Sequence, residues 1–249
     1  MRSFFTFCLL ATLKVLCQLF FRYDLDWVGE FPEKNRWGGL RVAAVLHHTS
    51  LYEFLWVSAP PFRFLWQVAW HGVVPVADST LARSGVGTFY KTVARHVVPI
   101  SRERDHTWRE VLQKIGDPRS VVVILPEGRM MRRNGLDKHG KPMTVRGGIA
   151  DLLLGVDEGR LLLAYSRGLH HVQAPGERFP RLFRTLSMRF ESIDIPSYRE
   201  RLLAEVGEKG FKRAVIEDLE ARRDHYCFPD PEERERIFAA RAAARAAER

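Results

Sequence analysis

Three short, uninterrupted apolar runs constrain this chain most: Arg41-Val-Ala-Ala-Val-Leu46, Ser120-Val-Val-Val-Ile-Leu125 and Leu161-Leu-Leu-Ala-Tyr165. Runs of this length, rich in branched side chains and bounded by turn residues, read as strands. Near-continuous apolar character means burial on both faces, the habit of parallel sheets covered by helices. Further strand character lies at Tyr23–Gly29, Val97–Ile100 and Leu186–Ile195, and Phe64–Val76 reads as a strand with its turn. Helical patterns start at Leu51 and cover Leu81–Val93, Thr107–Ile115 and Gly147–Leu154. Strands alternating with helices predict an α/β fold, a single central mixed β-sheet flanked by helices. No internal repeat and no Pro/Gly/Ser linker divides the chain. The expected organisation is a membrane-associated helix over 1–22, one domain over 23–198 and a C-terminal helical extension over 199–249. Within that extension Glu232–Arg249 reads as a solvated tail, because its apolar residues are mainly alanine and bury little area.

The chain of 249 residues carries 39 Lys plus Arg against 30 Asp plus Glu, a formal net charge of +9. Such a surplus points to an anionic partner: a phosphate-bearing substrate, an anionic lipid surface or a nucleic acid. Nucleic acid is disfavoured, since neither a recognised nucleic-acid fold nor a basic and aromatic face is evident. The three cysteines, Cys8, Cys17 and Cys227, exclude a disulfide scaffold and offer no Cys-x-x-Cys pair. Their usage fits a reducing cytoplasm.

Residues Ser3 to Phe21 are apolar over about the length that crosses a bilayer, with Lys14 and Gln18 as interruptions. A central lysine costs about 3 kcal/mol on insertion. A cleaved signal peptide is disfavoured by the single flanking Arg2 and the lack of a small-x-small cleavage site. A spanning anchor, a helix lying in the headgroup region with Lys14 snorkelling to phosphates, and a helix packed on the protein's own core all remain open. Arg2 and Arg22 nearly balance, so the flanks set no orientation.

The first chemical candidate is His48 with Glu53, placed where a buried strand runs out, as α/β folds place their sites. A carboxylate fixes a histidine's tautomer and stabilises its imidazolium. Five residues turn a helix by about 500°, so the two meet only if His48 lies in the incoming loop and Glu53 in the first turn. Equally, Ser50-Leu-Tyr-Glu53 is a capping box, with Glu53 bonding back to the Ser50 backbone. The second candidate is Pro126-Glu127-Gly128 with Arg129, Arg132 and Arg133 close behind, where backbone N–H groups and guanidinium forks suit a phosphate; an ordinary turn with solvated arginines explains it too. The third is Arg102 at the exit of Val97–Ile100, a place for bidentate phosphate contact. Several look-alikes fail. Gly135-x4-Gly140-Lys141 has Pro142 where a P-loop needs Ser or Thr. The adjacent His170 and His171 diverge on any regular backbone, and no metal site is expected.

In order and separation, these blocks resemble the glycerolipid acyltransferase family, whose bacterial members include 1-acyl-glycerol-3-phosphate acyltransferases. The resemblance spans about Tyr23–Ile195. It rests on His48-Thr-Ser-Leu-Tyr-Glu53, similar to the family's His-x4-Asp motif, on the lead-in Val28-Gly-Glu-Phe-Pro32, on Val97–Arg102, and on Leu125-Pro-Glu-Gly128. The departures are Glu53 for the usual Asp, His47 for the usual Asn, Arg129-Met130 where Thr-Arg is common, and no proline in Leu161–Tyr165.

The resemblance implies an O-acyltransferase at a membrane, on the cytoplasmic face of the cell membrane. The acyl group passes from acyl-CoA or acyl-carrier protein to a hydroxyl of a phosphate-bearing lysophospholipid or related glycerolipid, with no cofactor. It implies His48 as general base, Glu53 as its partner, and Arg102, Glu127, Gly128 and Arg129 as groups holding the acceptor phosphate. The departures motivate a second expectation, a non-catalytic phospholipid-binding or membrane-adaptor protein on the same scaffold.

Overall fold

The computed structural model describes residues 1–29, 36–82, 87, 88, 92, 96–100, 106–228 and 230–247. The strands are β1 (Arg22–Trp27), β2 (Leu40–Leu46), β3 (Gly72–Ala77), β4 (His96–Ile100), β5 (Val121–Ile124), β6 (Arg160–Ser166) and β7 (Thr185–Asp194). Among the described residues they form one sheet in the order β1-β7-β6-β2-β5-β3-β4. β2 runs parallel to both β5 and β6, and β3 runs parallel to β5 and β4. β7 is antiparallel to β6, and β1 is parallel to β7, so the sheet is mixed as expected.

The three apolar runs are its centre, and their alternate residues serve two cores. Val42, Ala44 and Leu46 face one side, Leu40 and Ala43 the other; Leu161, Leu163 and Tyr165 oppose Leu162 and Ala164 in the same way. Strands with both faces buried leave no place for polar alternation. The first face is covered by α4 (His106–Ile115), α5 (Gly148–Leu154) and α6 (Ile195–Tyr226), through Val111, Leu152, Phe211 and Val215. The second is covered by Phe21, Leu55, Trp56, Phe64 and Leu169. The remaining helices are α1 (Arg2–Phe20), α2 (Phe62–His71), the single turn α3 (Asp78–Leu81) and α7 (Pro231–Ala247).

Several expectations change. Phe64–Val76 is not a strand with its turn but the helix α2 followed by β3. Pro61 stands just before α2 with extended backbone, where a proline opens a helix freely, and Phe64, Leu65 and Ala69 form its buried face. The turn of helix after Leu51 is a 3-10 helix, Glu53–Ser58, cut short by Pro60 and Pro61. Glu232–Arg249, expected as a solvated tail, is over its described residues a docked helix, Pro231–Ala247. Ile237 and Arg241 are buried, and the Arg241 guanidinium lies 5.4 and 5.5 Å from the Phe228 and Phe238 rings. Its alanines bury little, but Ile237 joins the core and Phe238 packs against it. The helix expected at Leu81–Val93 falls mostly outside the described residues, as does the turn at Glu30–Asn35.

α1 is long and apolar enough to cross a membrane by length and composition, yet it packs on the domain through a face that includes its lysine. Ser3, Thr6, Leu10, Lys14 and Cys17, spaced by threes and fours, are its buried residues. Lys14 does not snorkel outward. Its ammonium donates to the carbonyls of Ser58 and, at 3.0 Å, Pro60, while the Ser58 hydroxyl donates to the Lys14 carbonyl. The outward face carries Phe4, Phe5, Val15, Leu16, Leu19 and Phe20.

Candidate active site

The parallel strands β2, β5 and β6 deliver their carboxyl ends to one edge of the sheet, and the chemistry gathers there. After Leu46, His47 adopts φ 67°, a left-handed turn uncommon outside glycine. It throws His48 out of the sheet plane. The His47 ring stays inside, its Nδ1 2.9 Å from the Ser166 carbonyl, so that nitrogen carries the proton and donates. Phe228 packs on the ring with centroids 4.7 Å apart. Burial pulls the His47 pKa down to about 3, which keeps it neutral.

His48 is fixed from three sides. Its N–H donates to Glu127 Oε2 at 2.8 Å, its carbonyl accepts from the Met131 N–H at 2.8 Å, and its Nδ1 lies 3.2 Å from Glu53 Oε1. A carboxylate only accepts, so the Nδ1 hydrogen points at Glu53 and Nε2 is left with its lone pair. The imidazole is 16% exposed and the Glu53 side chain 7%. A partly open base thus sits on a sealed carboxylate.

Glu53 does more than hold His48. Oε1 accepts from the N–H groups of Thr49 at 2.9 Å and Ser50 at 3.3 Å and also from His48, but no capping box forms: the helix starts at Glu53 itself with Tyr52 as its N-cap, and the Ser50 hydroxyl accepts from the Tyr52 N–H at 3.1 Å. Oε2 accepts from the Trp56 indole at 2.8 Å. Burial alone would push this carboxyl up; the His48 bond and charge, with the Thr49 and Trp56 donors, outweigh it and hold Glu53 below the usual carboxylate range. The added methylene relative to aspartate lets the carboxylate span the loop amides, the imidazole and the indole.

Glu127, expected among the groups that hold an acceptor phosphate, is instead sealed inside at 1% exposure. One oxygen takes the His48 amide; the other pairs with Arg223 of α6 at 3.0 Å. Arg223 also donates to the Met143 carbonyl and to Asp224, which is bridged onward to Arg241 of α7. Gly128 is exposed at φ 64°, its N–H closing a turn onto the Leu125 carbonyl. Arg129 is half-exposed and paired at 2.5 Å with Asp137, whose other oxygen accepts the His139 and Lys141 amides. Asp137 therefore organises the basic loop that imitates a P-loop. Arg133 lies at the surface and donates to the His170 carbonyl at 3.2 Å. Arg102 lies outside the described residues; β4, which leads to it, ends at Ile100.

The chain after β6 straps the His48 loop in place. The Leu169 N–H donates to the Thr49 hydroxyl at 2.7 Å, the Ser50 hydroxyl to Gln173 at 2.5 Å and the Tyr52 hydroxyl to the Arg178 carbonyl at 3.1 Å. His170 bonds the Met131 carbonyl and His171 the Thr185 carbonyl, so the two rings diverge. Sequence reasoning missed Arg223, Gln173 and Trp56. Trp56 sits three residues from Glu53 and was within reach of a pattern search; Arg223 lies 96 residues from Glu127, and no spacing connects them.

No family profile matches the chain, and no curated protein matches it in sequence. Among solved structures it is similar to the crystal structure of the 1-acyl-sn-glycerophosphate (LPA) acyltransferase PlsC from Thermotoga maritima. Sequence identity is 16%, the match covers 86% of this chain and 80% of that one, and the TM-score is 0.48.

Proposed function

We propose that this protein is an O-acyltransferase working at a membrane surface. It moves a fatty acyl group from acyl-CoA or acyl-carrier protein to a hydroxyl of a phosphate-bearing lysophospholipid or related glycerolipid. The observation that carries the reading is the 3.2 Å approach of His48 Nδ1 to the buried Glu53 carboxylate, with the imidazole partly open. That arrangement supports general-base catalysis: Nε2 takes the acceptor hydroxyl's proton as its oxygen attacks the thioester carbonyl, and Glu53 stabilises the imidazolium that forms. The proton then passes to the departing thiolate. The exposed Gly128 turn, with Arg129 beside it, and Arg102 are the groups assigned to the acceptor phosphate.

α1 is read as lying in the membrane interface, because Lys14, Ser3 and Thr6 face the protein while Phe4, Phe5, Val15, Leu16, Leu19 and Phe20 face out. The cytoplasmic face of the cell membrane is the expected location, where the three free cysteines stay reduced. A non-catalytic phospholipid-binding or membrane-adaptor protein on the same scaffold is the second reading, motivated by the departures from the family's motifs.

The test is thiol release from long-chain acyl-CoA in detergent micelles, with and without lysophosphatidic acid, for the native chain and His48→Ala. Acceptor-dependent release that disappears in the variant is expected. Equal release by folded His48→Ala protein overturns the mechanism, and no release with either acyl-CoA or acyl-carrier protein favours the adaptor.

A further inference from the structure

We propose that the segment Arg178-Phe-Pro-Arg-Leu-Phe-Arg184 is a second membrane-inserting element, specific for bilayers that carry anionic headgroups. The proposal rests on the reading of α1 as an interfacial helix and is independent of acyl transfer.

The segment turns its apolar side chains to the outside. Phe179 is 73% exposed, Phe183 65% and Leu182 46%. Scattered single apolar residues need no explanation, but three within five positions do. Phe183 has φ 60°, and with His47 it is one of the two non-glycine residues of positive φ among the described residues. A bulky residue adopts that region at a cost, so the backbone here is bent against local preference toward an exposed aromatic.

Two observations identify the occupant. First, the segment continues the outward face of α1. The Phe183 N–H donates to the Phe20 carbonyl at 2.7 Å, and the Phe20 and Phe183 rings lie 6.3 Å apart. The apolar surface therefore runs from the helix onto the loop without a break. Second, arginines alternate with the apolar residues at 178, 181 and 184, and Arg22 joins them, its N–H bonded to the Arg184 carbonyl at 3.1 Å. Arg181 is engaged with Glu177; Arg178 lies 5.5 Å from the Phe179 ring centroid. Aromatic side chains that sink to the acyl boundary, with guanidinium groups at headgroup height, match an anionic bilayer.

The same segment is tied to the site through the Tyr52–Arg178 hydrogen bond, and the chain just before it through Ser50–Gln173. Docking it on lipid thus holds the His48 loop near the membrane, where a lysolipid arrives.

The experiment is vesicle flotation of the full chain on phosphatidylcholine alone and on phosphatidylcholine containing phosphatidylglycerol. Variants are Arg181→Gln/Arg184→Gln and Phe179→Ser/Phe183→Ser. The native chain should favour the anionic vesicles. The arginine variant should lose that preference, about fivefold for each arginine removed, and keep its binding to neutral vesicles. The phenylalanine variant should bind both less. Thiol release in detergent micelles should be unchanged in either variant, since these residues touch neither His48 nor Glu53. Anionic binding unchanged in both variants overturns the proposal. Loss of thiol release in the native chain itself would sink the enzymatic reading and leave this one standing.

Discussion

Arg223 and Glu127 form an ion pair of 3.0 Å with side chains 2% and 0% exposed, and the second oxygen of Glu127 grips the backbone of His48. A guanidinium late in the chain therefore fixes the height at which the proposed base leaves the sheet. Buried ion pairs are poor sources of net stability, because desolvation offsets the attraction. The value of this one is positional.

Removing one partner strands the other. Arg223→Met should cost about 3–5 kcal/mol in unfolding free energy. Glu127→Gln with Arg223→Met should recover part of that loss, because the glutamine oxygen still accepts the His48 amide and no charge is left buried. Denaturant titrations of the two single variants and the double one measure the coupling; strict additivity would mean that the pair does not act as a unit.

Glu53→Gln keeps the size of the side chain and discards the charge. Thiol release should fall about 10²–10⁴-fold in kcat, with KM little changed, as for loss of the orienting carboxylate in a triad. Glu53→Asp keeps the charge but loses reach across the Trp56 indole and the His48 ring, and should retain more activity than the glutamine variant. Steady-state kinetics of both variants check the order, and an aspartate variant weaker than glutamine would contradict it.

His47 links acid to unfolding. Its pKa is depressed to about 3 by burial, against 6.5 for the free group. Between those values the unfolded chain binds the proton and the folded chain does not, so stability falls as pH drops through that window, by about 1 kcal/mol per pH unit for this one group. His47→Asn removes the titrating ring and suits the left-handed backbone. The variant should lose less stability than the native chain between pH 6.5 and more acidic conditions, compared by denaturant midpoints at each pH.

Lys14→Met separates two roles for a lysine in an apolar helix. The structure places its ammonium on the Ser58 and Pro60 carbonyls. The substitution should lower stability by about 1–3 kcal/mol through unsatisfied buried carbonyls, visible as a lower thermal midpoint in detergent. Vesicle binding should be unaffected. The reverse pattern, weaker binding with an unchanged midpoint, would restore a headgroup role.

The sheet was legible because its central strands bury both faces, and continuous apolar runs such as Ser120–Leu125 admit few other states. α2 was misread because exposed Phe62 and Trp66 blur its periodicity; both are nearly half exposed. His48 and Glu53 were legible because short-range spacing brings them together. Glu127 was noticed for the wrong reason: its position after β5 is evident from sequence, while its direction depends on Arg223, a partner set by helix docking rather than by pattern. α7 was underrated because composition averages over a helix, whereas docking depends on single residues such as Ile237.

The ion pair also imposes an order in time. His48 precedes Glu127 by 79 residues, and Glu127 precedes Arg223 by 96. At ribosomal speeds the second gap lasts about 5–20 s. Throughout it the nascent chain holds His48, Glu53 and Glu127 but lacks the guanidinium with which Glu127 is buried.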